Sequence, residues 1–560
     1  MVSSVLNRVK SVSNKSINFD FWKLVLILGM FGAGFFILYP LSTLFISGFQ
    51  YEGSFSLAHF ERFFGHPFFY RTLIRSMTVS IWTTAIALIV GTSMAYFTTM
   101  YKIKGKKTLE VLIIISMLSP PFIGAYSWIL LAGRNGYLAR FFNNNFNIVI
   151  PDIYGLGGIV LVMSLSAFPL IYLFTKGALK KIDPSLLEAS ESLGCNPVKR
   201  FGTLALPLIL PTVLAAGLLV FMDAFTDFGT PMLLGEGYTV MPVLIFNEFL
   251  SEMGGQPNFA SALSIIMVAI TAVLFLVQKY IISKRSFKSN ALRKIHPIKT
   301  TGIKNVLIHF YLYAIIALAI VPQFFVVYTS FRATSGPIFV DGFSLASYER
   351  IFNNFSNAIT NTFLYGLIAI VIIVFFSLFL SYLTVRKKSL ATNTLDYVTM
   401  LPFVIPGSVI GITLMLAFNG TPLLLIGTSQ ILIIAFVIRR LPYTLRSSTA
   451  ILHQISPSLE EASISLGDSP VKSFFKITAV MMMPGVISGA VLSWITIINE
   501  LNASILLFTT RTRTMTVVIY QEVLRAGYGT AAALATILMV STVISLLIFF
   551  KVSGNKEFSL

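Results

Sequence analysis

The chain has 560 residues, 56% of them hydrophobic and only 11% charged, with a formal net charge of +19. Soluble globular proteins carry roughly 25% charged residues, so composition excludes a soluble enzyme or binding module and predicts an all-α polytopic membrane protein. A single cysteine, Cys195, rules out an intrachain disulfide or a thiolate metal cage, and the scattered histidines give no ligand spacing.

Apolar runs of about 20 residues, the length that crosses a bilayer, recur from end to end. In the first half they are predicted at 23–49, 75–100, 109–132, 155–176, 204–226 and 258–282. In the second half they are predicted at 305–330, 360–385, 395–418, 427–450, 482–507 and 530–551, with Pro484 beginning the fifth. The first run reads as a retained helix, not a cleaved signal. The alternating ten-residue segments of a β-barrel do not stand out.

Twelve spans put both termini on one side, and Lys and Arg choose the side. Of the 41 basic residues, 31 fall in segments on the side of the termini, among them 176–203, 279–304 and 439–481. The positive-inside rule makes that side the cytoplasm. It also accounts for the charge without any nucleic-acid partner, since the basic residues sit in short gaps between apolar runs. The basic stretch 284–303 reads as a cytoplasmic linker between residues 1–283 and residues 304–560.

The halves are parallel repeats. Pro184-Ser185-Leu186-Leu187-Glu188-Ala189-Ser190-Glu191-Ser192-Leu193-Gly194 returns as Pro457-Ser458-Leu459-Glu460-Glu461-Ala462-Ser463-Ile464-Ser465-Leu466-Gly467. The offset is 273 residues (461 minus 188), and register holds through Pro197/Pro470 and Pro211/Pro484. Ser56–Arg62 also resembles Ser344–Arg350, and Met241 and Glu248 correspond to Met515 and Glu522. Each polar copy reads as helix, glycine turn, helix, with proline suited to each start. Carrying charge, it belongs at the membrane surface facing the cytosol.

The Glu-Ala…Gly pattern resembles the signature loop of the permease subunits of bacterial ATP-binding cassette (ABC) importers, and the likeness covers essentially the whole chain. It implies two tandem six-helix domains of the type-I importer fold in the bacterial inner membrane. It further implies that Glu188, Ala189, Ser190, Gly194, Glu461, Ala462, Ser463 and Gly467 form coupling elements that dock on two ATPase subunits. Ser190 and Ser463 stand where the family often has a second alanine. ATP and Mg would then bind those partners, leaving this chain without a cofactor, a metal or catalysis of its own. An extracytoplasmic substrate-binding protein would deliver the cargo.

Asp227-Phe228-Gly229-Thr230-Pro231 and Glu500-Leu501-Asn502-Ala503-Ser504, again 273 apart, resemble segments of fused permeases in the ferric-iron group. Iron(III) is therefore the expected cargo; 2-aminoethylphosphonate, hexose phosphates, polyamines and thiamine are the alternatives among related permeases. Asp223, Asp227 and Glu500 are acids at the outer ends of the fifth spans. They either line the path or contact the binding protein, or they cap helices and pair with Arg511 and Arg513. Ser251–Gln256 mimics an ATPase signature, yet no Gly-x-x-x-x-Gly-Lys phosphate loop accompanies it. Met481–Met483 reads as packing. The rival class is a twelve-span ion-coupled transporter, which charges in mid-span would favour; a membrane-embedded enzyme lacks a catalytic constellation.

Overall fold

A computed structural model of the chain describes residues 21–118, 120–250, 255–284 and 297–553. Ser251–Gly254 and most of the expected linker lie outside the described residues. Nine helices among those described are long and apolar enough to cross a membrane, and two bent helix pairs raise the number to 11. Their outer sides expose large apolar residues such as Phe31, Trp82, Ile89, Phe324 and Phe375, a surface that only lipid or another protein would cover. The chain is a multi-pass membrane protein of two similarly ordered halves.

In chain order the first half has spans Phe21–Gly48, Pro67–Met100, a bent third, Leu156–Leu179, Phe201–Thr226 and Pro257–Lys284. The second has Gly302–Ser330, Ser356–Arg386, a bent third, Pro470–Ile498 and Tyr528–Ser553; in fourth position stands Ser429–Gln454, a helix of the length expected at 427–450 but too polar to count among the 11. A short hairpin follows each first span: Gln50–Tyr51 with Ser54–Phe55, and Arg332–Ser335 with Ile338–Phe343. The first hairpin turns on Glu52 and Gly53, both at positive φ, as a two-residue turn between twisted strands requires.

Three expectations need correction. The spans predicted at 109–132 and 395–418 are not straight: Lys106–Met117 meets Pro121–Phe146 at 99°, and Leu390–Val404 meets Gly407–Ala417 at 114°. Proline is the cause. Pro120 (ψ 141) and Pro406 (ψ 146) take extended backbone and begin the outgoing helices, because proline has no N–H to continue a helix. The fifth span of the second half begins at Pro470, and Pro484 lies inside it. Finally, Ser429–Gln454 carries Arg439, Arg440 and Arg446. Arg439 and Arg440, counted above with the cytoplasmic segment 439–481, stand near the middle of this helix.

The first spans are exchanged between halves. Trp22 stacks on Tyr382 at 4.1 Å between ring centroids and meets Phe474 edge-on at 5.0 Å. Reciprocally, Ile308, Leu312, Ile316 and Ile320 join a core of residues from the second to fifth spans of the first half. The backbone adds to this exchange: Lys102 N–H donates to Ile298 O at 3.0 Å and Ile298 N–H to Met100 O at 2.8 Å. A larger central core draws on both halves at once. The halves therefore share one interior and do not meet as two finished bundles.

Candidate functional site

The two repeat elements fold alike. Pro184–Ser192 and Ser458–Ser465 are the first helices; Pro197–Arg200 and Pro470–Ser473 are the second. Between them Gly194 and Gly467 have φ of +77° and +97°, a left-handed conformation that side chains resist. Asn196 Oδ1 and Ser469 Oγ, equivalent residues, cap the second helices at Lys199 N (2.8 Å) and Lys472 N (3.3 Å). A five-residue π-helical stretch then leads into each fifth span, Phe201–Ala205 and Phe474–Thr478. Such stretches are rare and frequent at functional sites.

Glu188, Ala189 and Gly194 are exposed, as are Glu461, Ala462 and Gly467; Ser190 is half-buried and Ser463 buried. Beside them Leu193 is 84% and Leu466 89% exposed, and Leu186 and Leu459 are exposed too. Each element thus offers a carboxylate flanked by bare leucines, in the same places on both copies.

What braces the elements differs. In the first, Arg200 bonds Glu191 at 2.7 Å, and Tyr96 Oη donates to Pro197 O at 3.2 Å. In the second, Tyr382, which stands in the same span as Tyr96 does in its own half, donates to the Glu460 carboxylate, which also accepts from Thr478 at 3.3 Å. Asp468 joins Lys472 at 2.8 Å and Lys476 at 3.2 Å, and accepts from Ser463 at 3.1 Å. Hydrogen bonds from Lys472 and then Lys476 hold the Asp468 carboxyl down at about 2.

A second site lies where the halves meet. Gly229 of the first half packs on Leu501 of the second, with room for no more than a hydrogen: a Cβ there would lie 3.1 Å from Leu501 Cδ2. Next to Leu501, Glu500 is 4% exposed. Its carboxylate is bonded by Arg439 and, at 2.5 Å, by Arg440, and accepts from Ala503 N at 3.1 Å. Asp223 comes within electrostatic range of both guanidiniums. Its side chain is exposed. Burying a charge costs several kcal/mol unless it is paired, so this cluster is a large investment at one point.

Residues 68–287 and 373–554 each match the family model described as the binding-protein-dependent transport system inner membrane component. The chain belongs to that family. It is 30% identical over 542 residues to the "Ferric transport system permease protein FbpB" of Actinobacillus pleuropneumoniae, covering 93% of this chain and 77% of that one. It is 30% identical over 491 residues to a "Putative ferric transport system permease protein FbpB 1" of Haemophilus influenzae, covering 86% and 77%. A "Putative 2-aminoethylphosphonate transport system permease protein PhnU" of Salmonella choleraesuis is 22% identical over 242 residues, which is 42% of this chain but 84% of that one. One half of this permease thus matches most of that shorter relative. The protein is a permease of the inner membrane, and its family is defined by transport.

Within this permease the three acids singled out from sequence have separate fates. Asp227 Oδ2 accepts from Thr230 N at 3.2 Å and caps the short helix Gly229–Leu234. Glu500 is locked by arginines, but by Arg439 and Arg440, not by Arg511 and Arg513. Asp223 stays open to solvent. Among the described residues, no three His, Cys, Asp or Glu side chains converge as metal ligands. Sequence reasoning gave Arg439 and Arg440 no role, placing them at once in the span 427–450 and in the segment 439–481. The signal was present: Pro442 aligns with Pro169 at the repeat offset of 273 residues, which sets the arginines inside a span.

Proposed function

We propose that this permease is the fused membrane subunit of an ABC importer for iron(III), served by two ATPase subunits and an extracytoplasmic binding protein. The observation that carries the reading is the pair of repeat elements, each with an exposed glutamate between exposed leucines and each rooted in a fifth span. A bare leucine on a polar surface gains about 1.5–3 kcal/mol on burial, so these faces suit a partner's groove. Closure of an ATPase dimer would draw Glu188 and Glu461 together. The elements pass directly into the fifth spans through the π-helical stretches, so the motion would reach Asp223 and Glu500 at the far ends. Differential binding of the dimer to the two states supplies the bias. The ferric permeases that match most of the chain support iron as the cargo.

Mid-span charge would equally serve an ion-coupled carrier, and Arg439 and Arg440 are such charges. Membership of a binding-protein-dependent family disfavours that alternative. The test is co-purification with the ATPase, followed by ATP hydrolysis and iron uptake in Glu188→Arg and Glu461→Arg. Each variant is expected to weaken ATPase binding at least about tenfold, or ~1.4 kcal/mol, and the double variant to abolish uptake. Uptake that continues with no ATPase subunit present defeats the proposal.

A further inference from the structure

Two guanidiniums are a poor lining for the path of a bare trivalent cation. Yet Arg439 and Arg440 stand in mid-span at the boundary of the halves, with side chains 15% and 12% exposed. The equivalent residues of the first half, 273 positions earlier, are Ser166 and Ala167, so the fold itself does not require arginine there. Gly407 makes the space: a Cβ on it would lie 2.4 Å from Arg439 Nη1. The surroundings have unused hydrogen-bonding capacity. Arg440 Nε is buried without a partner. So are the hydroxyls of Ser408, which follows Gly407, and Ser504, which follows the Ala503 that donates to Glu500. Interiors leave few polar groups unsatisfied; here one belongs to the ion pair and two lie one residue along the chain from groups that border it.

Arginine forks match carboxylate and phosphate oxygens in pairs. Glu500 now occupies that position as an internal carboxylate. We infer that Arg439 and Arg440 form an oxyanion-binding site on the translocation path, with Glu500 as its resident occupant. The cargo crosses with a phosphate-like or carboxylate oxyanion that displaces Glu500 from the guanidiniums. Asp223, exposed and within electrostatic range of both guanidiniums, takes the positive part of that cargo. Each guanidinium exchanges one anion for another, while Glu500 keeps only the bond from Ala503 N and must take up a proton or water, which biases it to return once the cargo has left. This inference rests on the importer reading and names the chemical form of what is carried.

The experiment has two arms. The first follows inorganic phosphate, and citrate as its carboxylate counterpart, binding to the purified full chain in nanodiscs. Glu500→Gln frees both forks, and phosphate or citrate is expected to bind at least about tenfold tighter than to the unsubstituted chain; adding Arg440→Gln removes the gain. Equal binding by the unsubstituted chain and Glu500→Gln overturns the inference. Should Glu500→Gln not purify as a single species, Arg439→Lys/Arg440→Lys decides in the second arm, because it keeps the charges and loses the forks.

That arm measures uptake of radiolabelled iron and radiolabelled phosphate by the complete complex. The lysine variant is expected to lose uptake several-fold while still assembling with the ATPase subunits as the unsubstituted chain does. Phosphate entering in step with iron identifies an anion carried on the metal. Phosphate entering without iron identifies the oxyanion as the cargo; both support the site. Unchanged uptake in the lysine variant overturns it. If the unsubstituted complex shows no stimulated hydrolysis at all, the importer reading fails instead, and the binding arm still stands or falls alone.

Discussion

The fourth span of the first half carries Ser166 beside the proline break of the third span, where it lines a small cavity with Pro120, Pro121 and Trp128. The fourth span of the second half carries Arg439 at the equivalent place, and there the break offers Gly407 instead of Pro121. A small hydroxyl beside a ring has become a guanidinium beside a bare backbone. Duplication supplied the same frame twice, down to the hydroxyls of Ser76 and Thr362 that accept from Met241 N and Met515 N, each at 2.8 Å. Charge was then placed in one copy only. The lesson is that the shared frame tolerates specialisation at its midline as long as each change comes with a complementary one.

The largest effect should come from erasing that difference without its complement. Ser166→Arg puts a cation beside Pro121 with no equivalent of the Glu500 pair, and is expected to cost about 3–5 kcal/mol by thermal unfolding of the purified chain. Ser166→Ala, which loses only a hydroxyl shared between Val162 O and Met163 O, should cost under about 1 kcal/mol. Gly407→Ala should come next, at about 2 kcal/mol, because Arg439 must leave its seat; iron uptake should fall with stability.

A smaller contrast is expected at the paired tyrosines. Tyr382→Phe removes a bond to the Glu460 carboxylate, worth about 1.5–3 kcal/mol, whereas Tyr96→Phe removes a neutral bond to a carbonyl, worth about 0.5–1.5 kcal/mol. Equal shifts in the two unfolding midpoints would show that the elements are braced equally after all. The smallest effect belongs to Asp468, which is half-buried in the second repeat element. Its carboxyl is held down at about 2, below the ordinary value near ~3.9. The sign follows: its stabilisation is complete above the unfolded value and disappears as pH falls through the folded one. Asp468→Asn should therefore lower stability by a small, constant amount between neutral pH and pH 5, and the deficit should close as pH falls below about pH 4.

The repeat elements were legible because a polar motif repeated in a greasy chain has few rivals, and Gly194 and Gly467 need no context to be read as turns. Spans were legible by length. The bends at Pro120 and Pro406 were written in the sequence but lost to an averaged apolar run. Arg439 and Arg440 were lost to charge counting, which assigns every cation to a loop.

Composition and periodicity settled that this chain lives in lipid as two like halves, since hydrophobic length and repeat register are properties of the chain alone. Tertiary structure decided the exchange of first spans, the meeting of Gly229 with Leu501, and the partners of Glu500. Those are choices among acids and bases about 60 residues apart, and a buried charge takes whichever partner the packing brings within reach.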